Sequence, residues 1–106
     1  RRIRKCYRDQ LLRVAEAVGR QFPEGTRISN PRGGHVLWVE MPEAIDSLRL
    51  QQEAAEHRVS IAPGPLFSPV GLYGNCVRLN CGIRWSPKVE EAISIVGNLA
   101  RKQLGL

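Results

Sequence analysis

Cysteine is scarce in this chain and odd in number: Cys6, Cys76 and Cys81 are all there are in 106 residues, with no C-x-x-C spacing. Cys76 and Cys81 are five positions apart, an odd offset, so strand alternation puts them on opposite faces, where they cannot pair. Neither a disulfide framework nor a zinc site is indicated, and a reducing cytoplasm is the expected setting. Histidine is limited to His35 and His57, which share no ligand spacing with each other or with a cysteine. No metal site is expected, and both read as surface or turn residues. No apolar stretch approaches the ~18 residues that a membrane span requires, and no signal-peptide pattern opens the chain. The chain begins at Arg1 without a methionine, so it reads as a piece of something longer.

Acid is missing from residues 1–8, which hold Arg1, Arg2, Arg4, Lys5 and Arg8. The formal net charge of +6 invites a nucleic-acid partner. Its distribution argues otherwise. Five of the sixteen basic residues lie in that stretch, and the other eleven face ten acidic ones. The body is nearly neutral, and the basic run reads as a solvated helix face or a surface turned toward another domain. One domain is expected from 106 residues, and a domain of this size buries roughly 65% of its unfolded surface. That is enough for a core without cross-links.

What is present is a regular alternation of element signals. From Arg1 to Phe22 the residues Ile3, Tyr7, Leu11, Val14, Val18 and Phe22 recur at helical spacing, and Pro23 and Gly25 end the run. Thr26 to Ser29 reads as a short strand, followed by a turn through Gly33 and Gly34. His35 to Met41 reads as a strand with Val36 and Trp38 on one face and Leu37, Val39 and Met41 on the other. Asp46 is a candidate N-cap for a helix to about Arg58. Val59 to Ala62 reads as a β-branched strand running into a proline-rich loop. Ser86-Pro87 is a strong helix start, with Val89, Ala92, Ile93, Val96, Leu99 and Ala100 as its buried stripe. The order α-β-β-α-β-β-α predicts an α+β fold, two layers deep, with three helices on one face of a small, largely antiparallel sheet. The other face is left free.

Arg78 is the residue that this free face makes interesting. In Cys76-Val77-Arg78-Leu79-Asn80-Cys81, alternation sends Val77, Leu79 and Cys81 one way and Cys76, Arg78 and Asn80 the other. Arginine keeps its proton, and its planar fork matches a carboxylate or phosphate bidentately. Arg78 is therefore read as an anion holder facing a cleft, against the plainer alternatives of a solvated strand face or a structural ion pair. Arg84 is a candidate second anion contact or an exposed strand-end arginine. Trp38 and Trp85 read as packing residues. Glu40 and Asp46 form no carboxylate pair suited to acid–base work, so no catalytic residue is assigned.

Three segments in order carry a resemblance: Pro31-Arg32-Gly33-Gly34 leading into Val36-Leu37-Trp38-Val39-Glu40-Met41-Pro42; Ile61-Ala62-Pro63-Gly64-Pro65-Leu66-Phe67-Ser68; and Asn75-Cys76-Val77-Arg78-Leu79-Asn80-Cys81-Gly82. Together they resemble the C-terminal small domain of fold-type I pyridoxal-phosphate aminotransferases. They are most similar to the MocR-type subgroup of GntR-family bacterial transcription regulators, which fuse a winged helix-turn-helix to an aminotransferase-like module. The resemblance spans nearly the whole chain, residues 1–106, as one small domain of a longer protein.

The resemblance implies that Arg78 grips the α-carboxylate of an amino-acid ligand, with Gly33, Gly34, Pro63, Gly64, Phe67 and Asn80 lining the same cleft. It also implies pyridoxal phosphate in the full-length protein, held by a large partner domain of the parent chain. A full-length homodimer follows as well, with DNA contact only through an N-terminal winged helix. The Schiff-base lysine of such proteins belongs to the large domain, and Lys5, Lys88 and Lys102 match no such motif. This piece alone is expected to hold no cofactor and to catalyse nothing. Two functions remain open: the effector-sensing domain of a regulator, or the small domain of a working aminotransferase acting on amino acids and 2-oxo acids. A free-standing basic nucleic-acid-binding domain is the third.

Overall fold

The computed structural model describes residues 2–30, 33–82 and 84–106, with side chains from residue 8 onward. The side chains of Ile3 and Tyr7, the basic side chains of residues 1–5, and the pair Pro31 and Arg32 lie outside what is described. The elements are α1 (Arg2–Gln21), β1 (Arg27–Ser29), β2 (Val36–Glu40), α2 (Ser47–Glu56), β3 (Ala62–Pro63), a 3-10 turn (Gly64–Phe67), β4 (Cys76–Asn80) and α3 (Pro87–Gln103). The sheet order is β1-β2-β4-β3, and every neighbouring pair is antiparallel.

Register assigns the two faces. Ile28, Val39, Val77 and Pro63 stand side by side across the four strands, and Leu37 lies opposite Leu79. This apolar face packs on Val14, Ala17 and Val18 of α1, Leu50 and Ala54 of α2, and Ile93, Val96 and Ala100 of α3. All three helices therefore cover one side of the sheet, as the element order predicts. Each fully buried Val, Leu or Ile in this set contributes roughly 1.5–3 kcal/mol by leaving water. Among the described residues, no helix is long and apolar enough to cross a membrane.

Local chemistry sets the helix starts. Asp46 caps α2, its carboxylate accepting from the N–H groups of Leu48 (3.0 Å) and Arg49 (3.2 Å). Gln103, the last residue of α3, then accepts from the Asp46 N–H (2.8 Å) and donates to its carbonyl (3.1 Å). The end of one helix is thereby clamped to the start of another. Ser86 caps α3 through Val89 N–H, with Pro87 in the first turn.

Two boundaries differ from expectation. Helix α2 stops at Glu56 rather than near Arg58, because Arg58 turns left-handed (φ 61°) and the N–H groups of Arg58 and Val59 fold back to Ala55 and Ala54. Val59 is consumed by that cap, so the following strand sits at Ala62–Pro63 instead of Val59–Ala62. A proline without an N–H is tolerated there because β3 is an edge strand.

Helices α1 and α3 touch backbone to side. A Cβ placed on Gly97 of α3 would overlap the Gln21 carbonyl oxygen at the end of α1. Backbone cannot yield as a flexible side-chain tip can. Gly97→Ala should therefore destabilise the chain by about 1–3 kcal/mol. Gly19→Ala, on an exposed turn of α1 with nothing within 4 Å, should stabilise it by about 0.5–1 kcal/mol. Urea denaturation of the two variants checks this, since opposite signs are expected. Cys81 supplies a second test. It is fully buried, and burial pushes its thiol up from 9.0 to about 11, offset in part by a backbone hydrogen bond from Leu37. The unfolded chain loses this proton at lower pH than the folded one, so the contribution to stability is intact below about pH 9. It is lost as pH rises through about 11. Cys81→Ala should flatten the fall in unfolding free energy between these values, measured by denaturation as a difference from the unsubstituted chain.

Candidate functional site

The residues that alternate with the core row form a second row on the helix-free face. Ser29, Trp38, Arg78 and Ala62 lie in register across β1, β2, β4 and β3. Arg78 is exposed on this face. It makes no ion pair with any described residue; the pairs recorded are Arg20–Glu90 and Arg49–Glu53, both away from it. Its neighbour is a ring: the Arg78 Cζ lies 5.2 Å from the centroid of Phe67, within cation–π range.

Phe67 belongs to an aromatic corner. Trp38 meets Phe67 edge-to-face at 5.9 Å (73°) and meets Tyr73 the same way at 5.3 Å (88°). Phe67 ends the 3-10 turn after β3, and Tyr73 lies in the loop before β4 with φ 66°. That loop is tied down along its length. Ser68 Oγ accepts from the N–H groups of Val70 (3.3 Å) and Leu72 (3.1 Å). Ser47 N–H donates to the Gly74 carbonyl (2.7 Å), and Asn75 Nδ2 donates to the Met41 carbonyl (2.6 Å). A Cβ on Gly64 would overlap the Tyr73 carbonyl oxygen, so only glycine lets the turn and the loop close on each other. Leu66, Val70 and Leu72 are left exposed on the loop's outer side.

The other cleft residues expected from sequence fall into distinct places. Asn80 is exposed on the same face, and its Oδ1 accepts from Gly82 N–H (2.8 Å). Gly33 (φ 68°) and Gly34 (φ 69°) form the turn before β2, next to the end of the sheet where Val36 faces Asn80. Their left-handed backbone accounts for glycine there. Pro63 and Gly64 are buried by this chain's own atoms, Pro63 in the core row opposite Val77. They support the loop that carries Phe67 and present no surface of their own. Glu40 is exposed on the Trp38 side of β2. The Cys76 thiol is pushed up, first by burial and then by the nearby Glu40 charge.

Among the described residues no cluster of histidine, cysteine and acid is suited to a metal. Lys88 and Lys102 lie on α3, in the helix layer. Among the described residues, the helix-free face thus carries an exposed guanidinium and no lysine. A groove of about 360 Å3 is lined by Val14, Phe22, Ile61, Val89, Ile93 and Val96, and also by Arg78 and Asn80 of β4.

Sequence reasoning undervalued two residues. Trp38 reads as packing, yet it shares its face with Glu40, and that parity signals the open side. Tyr73 carries no periodic signal, because it sits in a loop whose path only the fold defines.

No protein-family model matches the chain. Individual proteins do. The uncharacterized HTH-type transcriptional regulator YjiR of Escherichia coli K12 is 33% identical over 97 residues, which are 92% of this chain and 21% of that protein. YdcR, a second uncharacterized regulator of that type from the same organism, is 32% identical over 104 residues, 98% of this chain and 22% of its own length. A 2-aminoadipate transaminase of Thermus thermophilus is 28% identical over 105 residues, 99% of this chain and 26% of the enzyme. In three dimensions the crystal structure of LysN, an α-aminoadipate aminotransferase of the same organism, superposes with a TM-score of 0.83 at 27% identity. It covers 98% of this chain and 27% of that one. The chain thus spans between a fifth and about a quarter of the curated relatives it matches. In sequence the chain is thus similar to a part of HTH-type regulators and of aminotransferases, and its helix-on-sheet fold matches the small domain of aminotransferase structures.

Proposed function

We propose that residues 1–106 are the C-terminal, carboxylate-gripping small domain of a GntR/MocR-type transcription regulator that works with pyridoxal phosphate in the cytoplasm. The observation that carries this reading is Arg78, a permanent cation with no acid partner among the described residues, on the one sheet face that no helix covers. Regulators matched at 33% and 32% identity, above the 28% of the transaminase, favour the regulator.

The physical task of the domain is orientation. Each charge-assisted hydrogen bond from Arg78 to a carboxylate contributes roughly 1.5–3 kcal/mol. A bidentate grip also fixes how the ligand's α-carbon is presented. The cofactor, when bound, supplies the chemistry at that carbon, and the residues that hold it lie in the large domain of the parent; no described residue on this chain's open face fits that role. In a regulator the grip couples ligand binding to the position of this domain against the large one, and through it to a winged helix on DNA. The parent is read as a homodimer.

The transaminase match and the aminotransferase superposition favour a second reading, the small domain of a working enzyme. The same grip then selects which bond at the α-carbon breaks. Turnover of amino acids with 2-oxo acids separates the two.

In the full-length protein, Arg78→Ala should weaken amino-acid binding at least about tenfold, the loss of one charged hydrogen bond. The cofactor's visible absorbance without ligand should stay the same. Titration of that absorbance with amino acids is the measurement, and an unchanged affinity would sink the assignment.

A further inference from the structure

An arginine on an open sheet face has many rotamers and needs something to hold it. The usual solution is an acid, and an acid would occupy the N–H donors that a ligand needs. Here the partner is Phe67, 5.2 Å from the Arg78 Cζ. An aromatic ring attracts the charge through its π face and accepts none of the in-plane N–H bonds. The fork stays charged and available.

Burial does not explain Phe67. Phe67 is 41% exposed, so its ring is not part of the core. The ring is also held at a defined angle: Trp38 braces it edge-to-face, Tyr73 braces Trp38, and the Gly64 turn is packed on the Tyr73 carbonyl. The turn that delivers Phe67 begins directly after Ala62–Pro63, and Ala62 is the strand partner of Arg78. Arg78 has Trp38 as its neighbour on one strand and the small Ala62 on the other, and the ring contacts both Trp38 and Arg78.

From this geometry we infer that Phe67 is a positioning residue for Arg78, holding the guanidinium over an aromatic face so that it meets a ligand carboxylate already oriented. This rests on the reading of Arg78 as the carboxylate grip.

The test uses the full-length protein with its cofactor. Two probes are titrated by visible absorbance: whichever of the twenty common amino acids binds tightest, and the amine with the same side chain and no carboxylate. Phe67→Leu should weaken the amino acid about two- to fivefold and leave the amine unchanged, and Phe67→Trp should restore the amino acid. In an Arg78→Ala background, Phe67→Leu should make no further difference. Equal losses for both probes, or the same loss without Arg78, would mean that Phe67 only shapes the loop, and the inference falls. If Arg78→Ala itself binds the amino acid as well as the unsubstituted protein, the carboxylate reading falls first. If Arg78→Ala loses affinity and Phe67→Leu keeps it, the role of Phe67 alone falls. A crystal structure of Phe67→Leu gives an independent readout: Arg78 should leave its rotamer, and an unmoved guanidinium would overturn the proposal.

Discussion

The pairing of β2 with β4 is the constraint on which everything else rests, because side chains in a strand alternate and a register is therefore also a choice of faces. Val39 opposite Val77 places one row in the core, and Trp38 opposite Arg78 places the next row outside. A slip of a single residue would carry Arg78 into the helix layer and the valines into water. An unpaired guanidinium among Val18, Leu50 and Val96 would meet a prohibitive desolvation cost. The apolar row demands cover and Arg78 demands an exit, so both requirements select the same register.

The helix layer makes that face a firm base. Close approach at Gly97 and Gln21 joins α3 to α1, and the Gln103 amide locks α3 to the N-cap of α2. The loop between Gly64 and Asn75 folds back over the edge of the sheet, tied by Ser47, Ser68 and Asn75. Its effect is to bring Phe67 and Tyr73 to Trp38 of β2, and Phe67 to Arg78 of β4. Electrostatics around Arg78 is correspondingly simple: one cation, a π face beside it, and no acid paired with it among the described residues.

On the proposed reading of Arg78, such a site is indifferent to what its parent does with the ligand. Holding a carboxylate serves an enzyme by orienting a bond, and serves a sensor by converting binding into domain position. Regulators and transaminases both match this chain, and their remaining length, about three quarters or more, lies beyond the matched region.

Much of this was legible in short stretches of residues. Asp46 and Ser86-Pro87 mark helix starts because capping acts over three or four residues. Helical stripes and strand alternation give the faces, and with them the outward aim of Arg78, because periodicity is a local property of the chain. The ordered motifs around Gly33-Gly34, Pro63-Gly64 and Arg78 carry the family. What could not be read locally depends on atoms far apart in sequence. Val59 joins a helix cap instead of a strand because Ala54 offers its carbonyl. Gly64 is needed because Tyr73 returns to within touching distance. Trp38, Phe67 and Tyr73 become one cluster only when the loop crosses the sheet edge. The identity and facing of Arg78 thus belong to its own strand, whereas the company it keeps is a matter of chain path, since packing between remote segments is set by the whole fold and by no window of it.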